Sequence, residues 1–495
     1  MKVCFVYLDI DPFFPGYGGR INFGVAALSA ILKERGHETS LIHVTRPVSE
    51  EVLGKALKRE KPDLVGFSST TNLFVFVEKY AAKAKQTLGV PVICGGPHAT
   101  ATPDEVIGNP SVDIVCVGEG DAALPELCAR LESGGDISSI SSLWVKQNGE
   151  VHRNPVGPLI EDLDELPLPD LDVFDYENLQ DTRERVGVIF ASRGCPFQCS
   201  YCVNRLLRGL YPNREHYVRY KSVPRVMEEI RQVLEHYPKT KYVVFNDDTF
   251  ILKREWFRDF VEIYKKEIGL PYMCTGHVEV VDEERAALLK SSGCAKLWIG
   301  VGSGNELIRK KVLKRAASNE KILNAFRILH SHGIKTHVFN MVGIPHENKQ
   351  RILDTIKLNA KIKSQGVQVT VFYPYPGTEL FEICSREGVL SSRKLLSYRF
   401  GSVLNLPDLT VSQIGFFQRY FIVLTRLYSA IGVLPPVLRG AAEKIVDGVV
   451  CSRIFPYRAA QVFYSTAYTA LRFAYVYGVS HVYSRKGRQF RLTKK

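Results

Sequence analysis

The chain has 495 residues, of which 45% are hydrophobic and 24% charged, and it carries a formal net charge of +13. That length exceeds one ordinary core and points to about three domains, and the composition excludes both a disordered chain and a disulfide scaffold. Eleven cysteines, an odd number scattered along the chain, are thiols or metal ligands of a reducing compartment.

KVCFVYLDI opens the chain as a strand, without the charged start and apolar run of a signal peptide, so the protein is expected in the cytoplasm. Over residues 1–150 short β-rich runs alternate with helical patterns: KVCFVYLDI, SLIHV, DLVGFSST, VPVICGGPH and VDIVCVGEGD, separated by segments such as VAALSAILKERGHE and FVEKYAAKAKQTLG. This rhythm predicts a doubly wound parallel sheet with helices on both faces. Ligands of such sheets bind beyond the strand carboxyl ends, which makes the loops SSTTN, GGPHAT and GEGD a candidate site. Cys4, Cys94, Cys116 and Cys128 sit in apolar runs or on a helix and are expected to be packing residues.

Residues 151–185, rich in Pro and acid, lack a regular period and are expected to be a linker lying across the next domain. From 186 to 390 a second series follows, with strands VGVIFAS, KYVVFNDD, PYMCTGH, KLWIGVGS, KTHVFNMVG and VQVTVFYPYP. Six such units predict a full or partial barrel with its active site at the strand carboxyl ends. Those ends carry Cys195, Asp247, Asp248, His277, Ser303, Asn340 and Tyr373. Residues 391–495 turn helical, apolar and aromatic; Arg419, Arg426 and Arg472 interrupt the apolar runs, so no membrane span is expected. After Asp447 there is no acidic residue, and nine Lys and Arg follow.

SRGCPFQCSYCVN spaces Cys195, Cys199 and Cys202 four and then three apart. Structural zinc closes four ligands with a second knuckle, which this chain lacks. A [4Fe-4S] cluster on three thiolates instead keeps one iron open to a small molecule. CxxxCxxC with an aromatic residue, Tyr201, before the last Cys resembles the radical SAM signature. The resemblance implies a partial (β/α)6 TIM-like barrel, S-adenosyl-L-methionine (SAM) chelated to the fourth iron, and reductive cleavage to a 5′-deoxyadenosyl radical. The barrel-mouth residues Asp247, Asp248, His277, Ser303 and Asn340 are its candidate cofactor contacts.

VGFSSTTN, GGPHAT and VGEGD resemble the loops of the flavodoxin-like cobalamin-binding domain that precedes the barrel in B12-dependent radical SAM enzymes. With FNDDTF, GVGSGN and FYPYPGTEL, the resemblance spans about the first 390 residues. It implies cobalamin contacts from Ser68, Ser69, Thr70, Gly95, Gly96, His98, Gly118, Glu119 and Gly120. There is no Asp-x-His-x-x-Gly stretch, so cobalamin is expected without a protein His on cobalt. Two departures stand out: relatives read Gly-Val-Glu-Ser-Gly where this chain has Gly300-Val301-Gly302-Ser303-Gly304, and the third strand ends with His277 where Arg is common.

Plainer roles stand beside these. Gly16–Gly19 serves equally as a glycine turn or a corrin contact, His98 as a loop hydrogen-bonder or a cofactor contact, and Ser303 and Asn340 as partners of buried backbone. The C-terminal aromatic helices either cap the barrel or, with their basic residues, meet anionic lipid. No RNA-binding motif accompanies the charge, and nucleic acid is not expected.

The resemblance implies C-methylation of an unactivated carbon, in which the radical abstracts a substrate hydrogen and methylcobalamin donates the methyl. An oxidative cyclase like that of anaerobic chlorophyll synthesis is the first alternative. A non-catalytic cofactor-binding or electron-transfer protein is the second, motivated by Gly302. Expected partners are a small-molecule or lipid-like substrate and an electron donor such as flavodoxin or ferredoxin.

Overall fold

The computed structural model describes residues 1–11, 16–393, 395–396 and 401–466. The first sheet has seven strands: β1 (Lys2–Leu8), β2 (Glu38–Val44), β3 (Leu64–Ser68), β4 (Val92–Gly95), β5 (Ile114–Cys116), β6 (Leu143–Gln147) and β7 (Glu150–Arg153), ordered β2-β1-β3-β4-β5-β6-β7. The first five are parallel and in the flavodoxin-like order, which places a ligand crevice beyond β1 and β3. Apolar runs such as Val3–Val6 are buried because helices cover both faces.

The sheet is not wholly parallel, because β6 and β7 form an antiparallel hairpin on β5. Its turn is Asn148-Gly149, both at positive φ (53° and 84°), the pairing a two-residue type I′ turn requires. The segment that follows packs on the helix Val223–His236. Asp164 accepts from the Ser222 N–H at 2.9 Å, and the Pro169 carbonyl accepts from Gln232 at 2.9 Å.

The second series supplies β8 (Val186–Ile189), β9 (Ser192–Arg193), β10 (Arg219–Tyr220), β11 (Tyr242–Phe245), β12 (Tyr272–Gly276), β13 (Cys294–Gly302), β14 (Lys335–Val342) and β15 (Gly366–Val371). Apart from the short ribbon β9–β10, each of these strands is followed by a helix, as the alternation requires. By packing, Met1–Leu297 with Tyr375–Glu382 form one compact unit and Trp298–Pro374 with Ile383–Lys495 a second. In the first, β8, β11 and β12 lie parallel and in chain order, over an aromatic core of Phe245, Phe250, Phe260, Tyr264 and Tyr272. In the second, β14 and β15 are parallel.

The C-terminal region is helical, as the pattern predicts, with helices Val411–Ile431 and Pro436–Cys451. Thr410 caps the first in a capping box with Gln413. Among the described residues no helix is long and apolar enough to cross a membrane. Seven of the nine basic residues after Asp447, from Arg472 on, lie outside the described residues.

Candidate active site

The cysteine loop is held at both ends. Before it, β9 pairs antiparallel with β10. Gly194 then turns at φ +87°, and a Cβ there would stand 2.2 Å from the Tyr217 carbonyl oxygen, so the approach to Cys195 admits only glycine. After it, the Cys202 N–H donates to the Cys199 carbonyl at 3.1 Å. Asn204 Nδ2 reaches Cys202 Sγ at 3.7 Å and is itself oriented by the Tyr217 hydroxyl at 2.7 Å. Cys199 is buried, and Cys195, Tyr201 and Cys202 are half-buried.

Burial pushes the Cys195 thiol up to about 11 and raises Cys202 as well, with the Asp248 carboxylate adding to both shifts. Such thiols stay protonated at neutral pH until a metal displaces the proton. None of the three is in a disulfide. Among the described residues no three His, Cys, Asp or Glu converge on a single metal ion. A cluster makes no such demand, since its thiolates bind separate irons, and the donor set fits one. Phe197, inside the loop, stacks on His277 with ring centroids 3.6 Å apart, so the end of β12 braces the loop.

The two aspartates part company. Asp247 is buried, accepts from Ser192 Oγ at 2.5 Å and the Ala191 N–H at 3.3 Å, and has its carboxyl pushed up to about 6 by burial. It ties β9 to β11 from within. Asp248 is exposed, is hydrogen-bonded by Asn204 and lies within electrostatic reach of Cys195 and Cys202.

In the second unit Ser303 and Asn340 belong to one buried polar network. Ser303 Oγ lies 3.3 Å from Thr355 Oγ1 and accepts from the Asn305 N–H, while Asn340 and Asn359 exchange amide hydrogen bonds at 3.1 and 2.9 Å. Gly302 has φ +77°, and a Cβ there would meet Leu313 Cδ1 at 3.0 Å, so the backbone that lacks the Glu of relatives also disfavours one. Tyr373 is half-buried just past β15.

At the crevice of the first sheet the three loops interlock. The Ser69 N–H donates to the Gly95 carbonyl at 3.3 Å, the His98 N–H to the Ser69 carbonyl at 3.2 Å, and the Gly118 N–H to Thr100 Oγ1 at 3.1 Å. Gly96, at φ +93°, is pressed against Ser68 and Ser69 so closely that a Cβ would come within 3.0–3.1 Å of both. The half-buried Ser68, Gly95, Gly96, Gly118 and Gly120 and the exposed Thr70 edge the crevice with small groups that a bulky ligand can approach, which fits cobalamin, whereas Ser69 is buried with its hydroxyl donated to the Thr70 carbonyl. Thr70 is exposed, and Gly95, Gly118, Glu119 and Gly120 are half-buried. His98 is buried against Phe74, within 3.3 Å of Thr71 and Thr102 hydroxyls, and burial lowers its imidazole to about 4, keeping it neutral. The Gly16–Gly19 turn packs on Asn178 and His43.

The Glu119 side chain points to an ion-pair network that the sequence did not reveal. It bridges Arg193 at 3.1 Å and Arg219 at 2.5 Å, while Asp121 holds Arg193 at 2.9 Å. Arg193 and Arg219 are direct partners across β9–β10, a like-charge pairing that Glu119 and Asp121 neutralise. The Tyr211 hydroxyl accepts from the Glu119 N–H at 2.8 Å. The loop ending β5 is thereby fastened to the strand that launches the cysteine loop.

Family models match both halves: the B12 binding domain over residues 20–128 and the Radical SAM superfamily over residues 189–358. The chain belongs to the cobalamin-binding radical SAM enzymes. It is 29% identical over 397 residues to an uncharacterised methyltransferase of Pyrococcus horikoshii, covering 79% of this chain and 84% of that one. It is 24% identical over 398 residues to the anaerobic magnesium-protoporphyrin IX monomethyl ester cyclase of Rubrivivax gelatinosus, covering 78% and 69%. The fold is shared with the radical S-adenosylmethionine methyltransferase TsrM of Kitasatospora setae, solved with cobalamin and a [4Fe-4S] cluster, at TM-score 0.65 and 17% identity over 79% of each chain.

Proposed function

We propose that this radical SAM enzyme methylates an unactivated carbon of a small-molecule substrate. The observation that carries the reading is the Glu119 network, which fastens the crevice loop of a cobalamin-type sheet to the start of a three-thiol radical SAM loop. When bound, the [4Fe-4S] cluster and SAM supply a 5′-deoxyadenosyl radical and cobalamin carries the methyl group. Cys195, Cys199 and Cys202 hold the cluster, and Phe197 on His277 fixes the loop's outer edge. Tyr201 within the loop and Asp248 beside Cys195 and Cys202 would contact SAM, and Asp247 orients the loop through Ser192. Within the second unit, Ser303 and Asn340 tie β13 and β14 to the helix Lys349–Ile362 through their hydrogen-bond network. Ser68, Ser69, Thr70, Gly95, Gly96, His98, Gly118, Glu119 and Gly120 would line the cobalamin crevice, with Glu119 held there by its side chain on Arg193 and Arg219 and its N–H on Tyr211.

In this reading residues 1–150 are the cobalamin domain, whose sheet β7 carries on to Arg153, the rest of 151–185 is a linker, 186–390 the barrel and 391–495 a helical domain with a basic tail. A cytoplasmic flavodoxin or ferredoxin supplies the electron.

After anaerobic reconstitution with iron, sulfide and hydroxocobalamin, wild type given SAM and reductant should form both 5′-deoxyadenosine and S-adenosylhomocysteine. Cys199→Ala should lose the 5′-deoxyadenosine. The match to a cyclase favours ring formation as the second reading; it predicts 5′-deoxyadenosine without stoichiometric S-adenosylhomocysteine once substrate is supplied.

A further inference from the structure

The helix Pro436–Cys451 is turned inside out. Its acidic residues face the protein: Asp447 accepts from Lys357 Nζ at 2.6 Å and from the Tyr428 hydroxyl at 2.5 Å, and Glu443 lies 3.9 Å from Lys357. Its sole buried residue is Val450. Val437, Ala441, Ile445 and Val449, one residue per turn, form the outward stripe, with Val437 84% and Ile445 66% exposed. A surface helix ordinarily does the reverse, turning its apolar stripe to the core.

The apolar surface continues beyond the helix. Val433 (83% exposed), Leu434 and Leu438 surround the Pro435-Pro436 turn, and Ile454 is 92% exposed past the helix end. An apolar patch of this extent marks an interaction site. Among the described residues from 411 on, the exposed charged side chains of this helix and the segments joined to it are all cationic: Arg426, Lys444, Arg453 and Arg458. With Asp447 engaged by Lys357 and Tyr428, Glu443 turned toward Lys357, and no acid after Asp447, the face is apolar with a basic rim.

We propose that this face docks on an anionic lipid bilayer, with the Pro435-Pro436 turn and the outward stripe in the interface and the basic rim at the headgroups. The charge pattern selects this occupant: an amphipathic helix with cationic flanks lies in the plane of an anionic interface, its apolar side toward the acyl chains. The inference goes beyond the methyltransferase reading and stands without it.

The test is co-sedimentation of the full-length protein with phosphatidylcholine vesicles and with equimolar phosphatidylcholine–phosphatidylglycerol vesicles. Val437→Asp/Ile445→Asp and, separately, Val433→Asp are run beside wild type, all three checked by circular dichroism and thermal melting. Wild type should sediment with the anionic vesicles and be released by salt, and each variant should bind at least about tenfold more weakly. SAM cleavage by the variants should match wild type, which separates failure of docking from failure of the catalytic reading. No sedimentation of wild type would overturn the proposal. Equal sedimentation of wild type and variants would overturn it too and assign lipid binding to residues 467–495. A lipid-free dimer of wild type that the variants render monomeric, without vesicle binding, would give the face to a second copy instead.

Discussion

Glu119 neutralises two guanidiniums that β9 and β10 set side by side, and Arg219 is nearly fully buried. Glu119→Gln keeps the size and loses the charge. Hydrogen bonds to charged groups contribute about 1.5–3 kcal/mol, so the variant should lose about 2 kcal/mol, read from anaerobic urea unfolding. Coupled with Arg219→Ala the losses should fall short of additive, as expected of contacting residues. Gly302 offers a second residue-scale test. Restoring the Glu of relatives forces a side chain onto a left-handed backbone and against Leu313, so Gly302→Glu should cost about 1–2 kcal/mol. Gly302→Ala should cost as much; a Glu better tolerated than Ala would mean that the carboxylate finds a partner there.

Between β14 and the helix Lys349–Ile362 the chain turns on Glu347, buried and accepting from the Gly343 N–H at 2.7 Å and the Ile344 N–H at 3.2 Å. Burial pushes its carboxyl from 4.5 up to about 8, against the pull of those two donors. The native state therefore holds a proton that the unfolded chain releases at 4.5. The resulting stabilisation is complete below that value and is lost as pH rises to about 8. Glu347→Gln keeps an acceptor for both N–H groups and should flatten this part of the pH–stability curve between pH 5 and 8, measured by urea unfolding. At the same scale the sequence is readable in some places and mute in others. The strands of the second series announce themselves as apolar runs, and the cysteines by a local spacing. The β6–β7 hairpin was signalled by Asn148-Gly149, but strands of five and four residues show too little period against a strong parallel rhythm. Arg193 and Arg219 lie 74 and 100 positions from Glu119, and no local pattern encodes a pairing at that separation. Likewise which face of the helix Pro436–Cys451 turns inward depends on Lys357, 90 positions before Asp447.

At the scale of the whole molecule, both proposed cofactors report to one packed unit, since the crevice loops and the cysteine loop lie within Met1–Leu297. Ligands that bind only the native state stabilise it, by about 2.7 kcal/mol at a hundredfold excess over Kd. Cobalamin and the reconstituted cluster should therefore each raise the melting temperature, and stripping iron with a chelator should lower it again. The Glu119 clamp also sets an order of events during synthesis. Glu119 leaves the ribosome 74 residues ahead of Arg193 and 100 ahead of Arg219. At about 5–20 residues per second the carboxylate waits roughly 4–20 s for its cations. All seven strands of the sheet, the last ending at Arg153, are thus synthesised before the loop that receives iron can be seated against it.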